Sequence, residues 1–345
     1  MPVPASHAAS LWRRHAPSRG KSGNLPASRL GGPLPCRYEP VLPPPAPHSA
    51  PDAPATGAKE PPFTGKRIVL AFNPASGSFR PELLRQLQQA LIDQGHGVRA
   101  ENSRVFRFSP DDPVDLICAY GGDGTARTVV QMNGEAADGA AYCTYPSGTI
   151  NLLAREAGYP ANPKQFARLI SARQSRPTHF GQIDGQAFLC CASVGPDAEV
   201  VARVSPKWKR RVGRLAYGLA ALGMLWRWPR RKFRFTVDGA ELEGEALFVC
   251  KGRYYAGPWM IDRQASLHKD SFQVLILPRA GRRDLIRLGL ATMIHPALGS
   301  RQWHRQSARS IDIDGPEGIA VQADGDIIAA TPSRIRLAPF FLNFL

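Results

Sequence analysis

The chain lacks the signatures of several common protein classes. None of its six cysteines forms a C-x-x-C pair and its histidines show no metal-ligand spacing, a pattern that favours reduced core thiols over zinc. No segment reaches the roughly 20 apolar residues that span a bilayer, and the longest apolar stretch is 215–226. Neither a Walker A sequence nor a G-x-G-x-x-G fingerprint is present, so neither a P-loop nor a standard dinucleotide-binding fold is supported.

Acidic residues are scarce relative to basic ones. The chain has 44 Lys and Arg against 28 Asp and Glu, which gives a formal net charge of +16. The imbalance is strongest in residues 200–237, which contain eleven Lys or Arg and no Asp or Glu. The partner is therefore expected to be anionic, and nucleic acid, an anionic membrane and a phosphorylated ligand all fit this balance.

The composition changes twice along the chain. Residues 1–64 hold fifteen of the 32 prolines and few large apolar side chains, so we predict a disordered tail. In residues 65–176, apolar runs alternate with helical patterns, which predicts a doubly wound parallel sheet with helices on both faces. Residues 177–329 predict a mostly antiparallel β-rich domain. The first domain is expected to be joined by 330–345, with the run 335–337 returning to it. The runs that predict strands are 68–72, 98–101, 116–120, 141–145, 186–193, 232–237, 243–250, 272–277 and 309–313, and 283–294 predicts a helix.

Three turn clusters follow predicted parallel strands. Residues 121–125 read Gly-Gly-Asp-Gly-Thr and residues 146–151 read Pro-Ser-Gly-Thr-Ile-Asn, while Asn-Pro-Ala-Ser-Gly occupies 73–77. Glycine permits positive φ and close approach of the backbone to a ligand, and amides at such turns bind anions. Because ligands bind at the carboxyl ends of parallel strands, these turns together predict a polyphosphate site.

A fourth cluster places two carboxylates one residue apart. Asp324 and Asp326 flank Gly325, and such a pair can supply a general base and its hydrogen-bonding partner. A hairpin turn explains the same three residues equally well.

The ordered set of turns resembles a known family. Residues 73–77, 121–125 and 146–151 together resemble the diacylglycerol kinase catalytic domain of bacterial lipid kinases, within the NAD kinase and diacylglycerol kinase superfamily. The resemblance extends over about 66–340 through residues 188–198, 254–270 and 322–326. It implies an α/β plus β fold, with an NAD kinase-like parallel-sheet domain followed by an antiparallel β-sandwich-like domain.

The resemblance also implies a reaction and its residues. ATP would donate its γ-phosphoryl group, with Mg²⁺, to the hydroxyl of diacylglycerol or a similar lipid. Asp123 would act through magnesium and the phosphates, while Asp324 and Asp326 would assist deprotonation of the acceptor. Asp270, with the backbone of Leu267 and Phe272, would match a second, structural magnesium site. The implied nucleotide-binding residues are Asn73, Pro74, Ser76, Gly77, Ser103, Gly121, Gly122, Asp123, Gly124, Thr125, Ser147, Gly148, Thr149 and Asn151.

Two departures from the family pattern concern the reacting site. Arg127 stands where the family usually has other side chains. Its cationic side chain could contact a phosphate or could equally perturb the pocket. Asp326 replaces the usual closing Glu, which moves its carboxylate back by about 1.5 Å. These departures keep a catalytically lapsed nucleotide- or lipid-binding protein open as an alternative. A kinase acting on another alcohol, such as a sphingoid base, phosphatidylglycerol or NAD, also remains open.

The basic stretches 207–211 and 226–232 combine Trp with Lys and Arg on either side of an apolar segment. That combination favours a membrane interface, with Trp208, Lys209, Arg210 and Arg211 docking on an anionic bilayer. A solvated basic face is the alternative. No nucleic-acid-binding module is recognised. We therefore expect a cytoplasmic, peripherally membrane-associated protein whose oligomeric state, including a homodimer, is open.

Overall fold

A computed structural model describes residues 65–137, 139–203, 230–295 and 298–345. The predicted tail at 1–64 and the docking residues Trp208, Lys209, Arg210 and Arg211 lie outside the described residues.

The first sheet has six strands, and its four sequence-adjacent strands are parallel, as the alternating pattern predicts. These strands are β1 (Arg67–Phe72), β2 (Gly97–Asn102), β3 (Leu116–Gly121) and β4 (Ala141–Pro146). The intervening and following helices are α1 (Pro81–Ile92), α2 (Asp123–Asn133), α3 (Leu152–Ala157) and α4 (Pro163–Ala172). Every residue of β3 is buried, as expected for a central strand covered on both faces.

Helix α1 shows how the sequence sets one of these elements. Pro81 occupies the first helical position, where its missing N–H costs nothing. The buried residues Leu84, Leu87, Ala90 and Leu91 recur at helical spacing and form the face that packs on the core.

The end of the chain returns to this sheet, although not where we expected. The prediction that 335–337 returns was wrong, because β19 (Ser333–Leu337) pairs with strands of the second domain. The returning strand is β20 (Leu342–Phe344), which runs parallel to β4 and antiparallel to β5 (Arg176–Thr178). The sheet order is therefore β2-β1-β3-β4-β20-β5.

Two antiparallel six-stranded sheets form the second domain, as predicted. Their remaining strands are β6 (Gly181–Ile183), β7 (Gln186–Phe188), β8 (Cys191–Val194), β9 (Phe233–Val237), β10 (Ala240–Gly244), β11 (Ala246–Cys250), β14 (Phe272–Leu277), β15 (His304–Ala308), β16 (Ser310–Asp314), β17 (Ala320–Ala323) and β18 (Asp326–Ala330). One sheet has the order β10-β9-β16-β19-β6-β7, and the other has the order β15-β14-β11-β8-β17-β18. A two-stranded hairpin, β12 (Tyr254–Tyr255) with β13 (Trp259–Met260), and helices α5 (Pro196–Arg203) and α6 (Arg282–Met293) complete the domain.

Apolar side chains from the facing sheets share one core. Phe188 of one sheet stacks on Phe272 of the other, with ring centroids 5.6 Å apart. Leu247, Ile311 and Ile335 belong to the same buried cluster. The predicted β-sandwich-like packing is thereby confirmed.

Two runs that predict single strands are divided between the sheets. Residues 186–193 form β7 in one sheet and β8 in the other, and residues 243–250 belong to β10 and β11. At the second corner, buried Glu245 accepts a hydrogen bond from the Ala280 amide (2.8 Å) and pairs with Arg230. The single-strand predictions were wrong because the backbone passes from one sheet to the other within each run, between Phe188 and Cys191 in the first and at Glu245 in the second.

Candidate active site

The predicted phosphate-binding turns meet at one edge of the first sheet. Residues 73–77 follow β1, Ser103 follows β2, residues 122–125 follow β3 and residues 147–151 follow β4. Because these four strands are parallel, all four segments lie beyond their carboxyl ends. The four segments therefore share one edge of the sheet, as the sequence predicted, and phosphate binding there stays a prediction.

The backbones of the two glycine turns are in direct contact. A Cβ atom on Gly148 would lie 2.5 Å from the Cα of Gly122, so only glycine fits there. Asn151 has φ of 56°, and its side chain accepts from the Gly148 amide (2.9 Å) and donates to the Gly148 carbonyl (2.8 Å). These contacts bring the backbone of both turns to one place.

Asp123 links the same two turns. Its carboxylate accepts hydrogen bonds from the amides of Leu152 (2.9 Å) and Leu153 (3.0 Å) at the start of α3. Burial raises the pKa of the Asp123 carboxyl to about 6 from its ordinary value of 3.8, the two amides oppose that rise, and the nearby Asp324 charge adds to it. The resemblance implied a role through magnesium, but both carboxylate oxygens are engaged by the α3 backbone.

The turn after β1 and the residue after β2 complete this edge. The side-chain oxygen of Asn73 accepts a hydrogen bond from the Ala75 amide (3.0 Å), and the backbone carbonyl of Asn73 accepts one from the Ser76 amide (3.1 Å). These bonds fix the turn that includes Pro74 and Gly77. Ser103 is 1% exposed, and its hydroxyl has no hydrogen-bond partner among the described residues. A buried hydroxyl of this kind is suited to a ligand contact.

Asp324 is held by the backbone of the second domain. One carboxylate oxygen accepts from the Leu189 amide (2.7 Å), and the other accepts from the amides of Cys190 (2.8 Å) and Cys191 (3.0 Å). The residue has φ of 50° and is buried. Burial raises the pKa of its carboxyl, and the backbone hydrogen bonds and Arg127 counteract the increase. Asp324 therefore fixes the corner between β7 and β8.

Asp326, two residues later, is the first residue of β18 and pairs with Ala323 in the β17–β18 hairpin. Its side chain is 40% exposed, and its Oδ2 is 3.1 Å from Arg127 Nη2. A Cβ on Gly124 would lie 3.2 Å from the same oxygen, so this carboxylate faces the first turn of α2. Arg127 also donates to the Ala323 carbonyl (3.1 Å) and so ties α2 to the hairpin. The closing motif of the second domain thus meets the Gly-Gly-Asp-Gly-Thr turn of the first.

A buried polar network that the sequence did not predict supports the hairpin. Gln322 donates to Ser193 (3.0 Å), to Asp197 (3.0 Å) and to the Tyr255 hydroxyl (3.1 Å), and it accepts from the Gly325 amide (3.1 Å). Tyr255 and Ser193 also donate to Asp197. Burial raises the pKa of the Asp197 carboxyl, and these three hydrogen bonds oppose the change. The one sequence signal for this network was Gln322, a polar residue within the otherwise apolar strand β17.

Of the residues predicted for the second magnesium site, Leu267 and Asp270 lie in the turn before β14 and Phe272 lies in the strand itself. The Leu267 carbonyl accepts from the His179 amide (3.1 Å), the Asp270 carboxylate pairs with Arg309, and Phe272 begins β14. Within the described ranges, no group of three or more His, Cys, Asp or Glu side chains is placed to hold a metal ion.

Comparison with known proteins agrees with this geometry. Residues 67–183 match the model of the diacylglycerol kinase catalytic domain, and residues 190–345 match the YegS C-terminal NAD kinase beta sandwich-like domain. A diacylglycerol kinase of Bacillus subtilis (strain 168) is 26% identical over 285 residues, which cover 78% of this chain and 92% of that protein. A "Probable lipid kinase YegS-like" of Pseudomonas aeruginosa is 29% identical over 226 residues, or 65% of this chain and 74% of that protein.

Solved structures show the same fold. A crystal structure titled as a diacylglycerol kinase from Bacillus anthracis str. Sterne superposes with a TM-score of 0.62 at 20% identity, covering 82% of this chain and 99% of that chain. The two matched domain models together span most of the sequence, in the order that the fold requires. The chain therefore belongs to the diacylglycerol kinase catalytic-domain family of lipid kinases.

Proposed function

We propose that this protein transfers the γ-phosphoryl group of ATP to the hydroxyl of diacylglycerol or a similar lipid. The observation that carries the proposal is the position of the Asp326 carboxylate against the first turn of α2, within the Gly-Gly-Asp-Gly-Thr segment. A potential proton acceptor thus faces a glycine-rich turn suited to phosphates. The name of the Bacillus subtilis relative supports a diacylglycerol substrate.

The phosphates would bind to backbone amides of the three turns. Phosphoryl transfer requires positioning and charge neutralisation more than covalent help from the protein. Asp123 contributes by holding the start of α3 beside the second turn through the amides of Leu152 and Leu153. Mg²⁺ binds chiefly to phosphate oxygens and water in such sites, so it would arrive with the nucleotide and neutralise charge on it. Asp123 would then act as a positioning residue.

The two carboxylates of the closing motif would have different tasks. Asp324 already accepts three backbone amides, so it has little capacity to take a proton from a substrate. Asp326 is partly exposed, and Arg127 fixes the direction of one of its oxygens. We therefore assign the role of general base to Asp326 and a positioning role to Asp324.

Labelled ATP and vesicles containing one candidate alcohol at a time test the reaction, with each product identified by mass spectrometry. We expect label in phosphatidic acid, and its loss in Asp326→Asn. Asp314→Asn, which neutralises an exposed carboxylate in the second domain, is the matched control and should keep the wild-type rate. Label in another alcohol would change the substrate. ATP binding without any transfer would instead support the lapsed, nucleotide-binding alternative, which the Arg127–Asp326 ion pair also fits.

We further propose that the protein contacts an anionic membrane through α6. Ile286, Leu290 and Met293 recur along one side of this helix and are 53%, 43% and 58% exposed, and Ile294 beyond its end is 66% exposed. Arg282, Arg283 and Arg287 lie on the same helix, beside a single acid, so the surface suits an anionic bilayer. In the part of the chain that the structure describes, no helix is both long and apolar enough to cross a membrane.

Vesicle flotation tests this contact. The double variant Ile286→Gln/Met293→Gln should bind phosphatidylglycerol vesicles more weakly than wild type, because it removes two exposed apolar anchors. Ile92→Gln is the matched control, since Ile92 is 44% exposed at the end of α1. Equal flotation of the double variant and wild type would exclude α6 as the docking surface.

A further inference from the structure

Lys251 is a fully buried lysine whose ammonium group points to a backbone turn. It directly follows β11 and has 0% exposure. Its Nζ donates to the carbonyl of Ser266 (2.9 Å) and to the carbonyl of Lys269. A strongly hydrated ammonium leaves water at a large cost, so its burial requires such partners.

The same turn contains Leu267 and Asp270, two of the three residues that the resemblance implied for a structural magnesium ion. Backbone carbonyls converging on one point repel each other unless a cation lies between them, and here the ammonium of Lys251 fills that role. Burial lowers the pKa of Lys251 to about 8, and the negative charge of Asp270 partly offsets this effect. The two carbonyl acceptors within hydrogen-bond distance of Nζ stabilise the protonated form of the side chain.

The charges around the turn also oppose a divalent ion. The Asp270 carboxylate pairs with Arg309, whose Nε also donates to the Asp270 carbonyl (2.9 Å). Lys251 and Arg309 thus bring two positive charges to a single carboxylate. Magnesium needs near-octahedral oxygen ligands at about 2.0–2.1 Å, whereas the Leu267 carbonyl already accepts the His179 amide. The residues present do not fit magnesium.

We infer that in this chain the ammonium of Lys251 holds the 266–270 turn in place of a divalent cation. The turn leads directly into β14, a strand of the sheet that also contains β8 and β17. The second domain is thus secured without metal, and any magnesium requirement belongs to the nucleotide alone.

The test measures thermal unfolding of the full chain without nucleotide, in EDTA and then with MgCl₂. We expect equal midpoints in both media, together with no tight Mn²⁺ binding by electron paramagnetic resonance. A midpoint raised by Mg²⁺, or a bound Mn²⁺ that Asp270→Asn abolishes, would overturn the inference. Because neither readout involves ATP or lipid, the result is independent of whether the proposed reaction occurs.

Two matched variants isolate the ammonium. Lys251→Met keeps the length of the side chain and removes the donors, so we expect an unfolding midpoint several degrees lower in both media. Lys269→Met makes the same change at the exposed lysine of the turn and should shift the midpoint little. A Lys251→Met midpoint equal to that of wild type would contradict the proposed role.

Discussion

Asp324 and Asp326 stand one residue apart, and we predict opposite consequences when each is changed to asparagine. In Asp324→Asn an NH₂ group replaces one oxygen, so at least one buried amide among Leu189, Cys190 and Cys191 loses its acceptor. An unpaired buried N–H costs about 1–3 kcal/mol, and the remaining bonds lose their charge-assisted strength. Because burial disfavours the charged form of Asp324, removing that charge offsets part of the lost free energy. The expected loss is about 2–4 kcal/mol of unfolding free energy, a large part of the total for a typical domain.

Asp326→Asn changes a partly exposed ion pair, so its unfolding free energy should change by less than about 1 kcal/mol. Its turnover should fall by about 100- to 10,000-fold, as for loss of a general base. Urea unfolding followed by tryptophan fluorescence and lipid phosphorylation at saturating ATP measure the two quantities. Near-wild-type turnover in Asp326→Asn would refute the base assignment. Unchanged stability in Asp324→Asn would refute the reasoning from the three amides.

Three further predictions concern the surroundings of this pair. Gly148→Ala should cost about 1–3 kcal/mol through overpacking and weaken ATP binding by calorimetry, because its Cβ would lie 2.5 Å from a facing Cα. Gly289→Ala is the control: a Cβ on Gly289 would meet no atom within 4 Å, so the unfolding free energy should stay the same or rise slightly. Burial raises the pKa of Asp123 in the folded chain to about 6 from its ordinary 3.8, so between these pH values the folded chain binds a proton that the unfolded chain does not. The contribution of Asp123 to the unfolding free energy should therefore fall as pH rises from about 4 to 6. Asp123→Asn should remove this part of the pH dependence of the unfolding free energy, measured by urea titration at several pH values. Tyr255→Phe should lower the unfolding free energy by about 1–3 kcal/mol because buried Asp197 loses a donor; an unchanged urea midpoint would argue against the network.

That the glycine-rich turns share one edge of the sheet could be predicted from the sequence, because it depends on local patterns. Buried strands read as continuous apolar runs, and each glycine-rich turn follows such a run directly. Parallel strands then bring the turns to one edge without further information. The architecture of the first domain follows from its alternation of strands and helices, and that of the second follows from its succession of short strands.

The tasks of individual side chains could not be predicted because they depend on distant backbone. Asp324 is bound by amides that lie 133–135 positions earlier in the chain, and no spacing rule connects them. Arg127 was open to two interpretations, and its contact with Asp326 spans 199 positions. Lys251 follows a buried strand, where a lysine is more often solvated, so its burial had no local signal.

The position of β20 bears on how the protein is made. This strand separates β4 from β5, and among the described residues β5 pairs with β20 alone. While the ribosome is still adding residues before Leu342, the edge of β4 has no neighbour on that side, and an uncovered strand edge invites aggregation. The domain encoded first therefore completes its sheet only after the strands β6 to β19 of the second domain have been synthesised, because Leu342–Phe344 follow them in the chain.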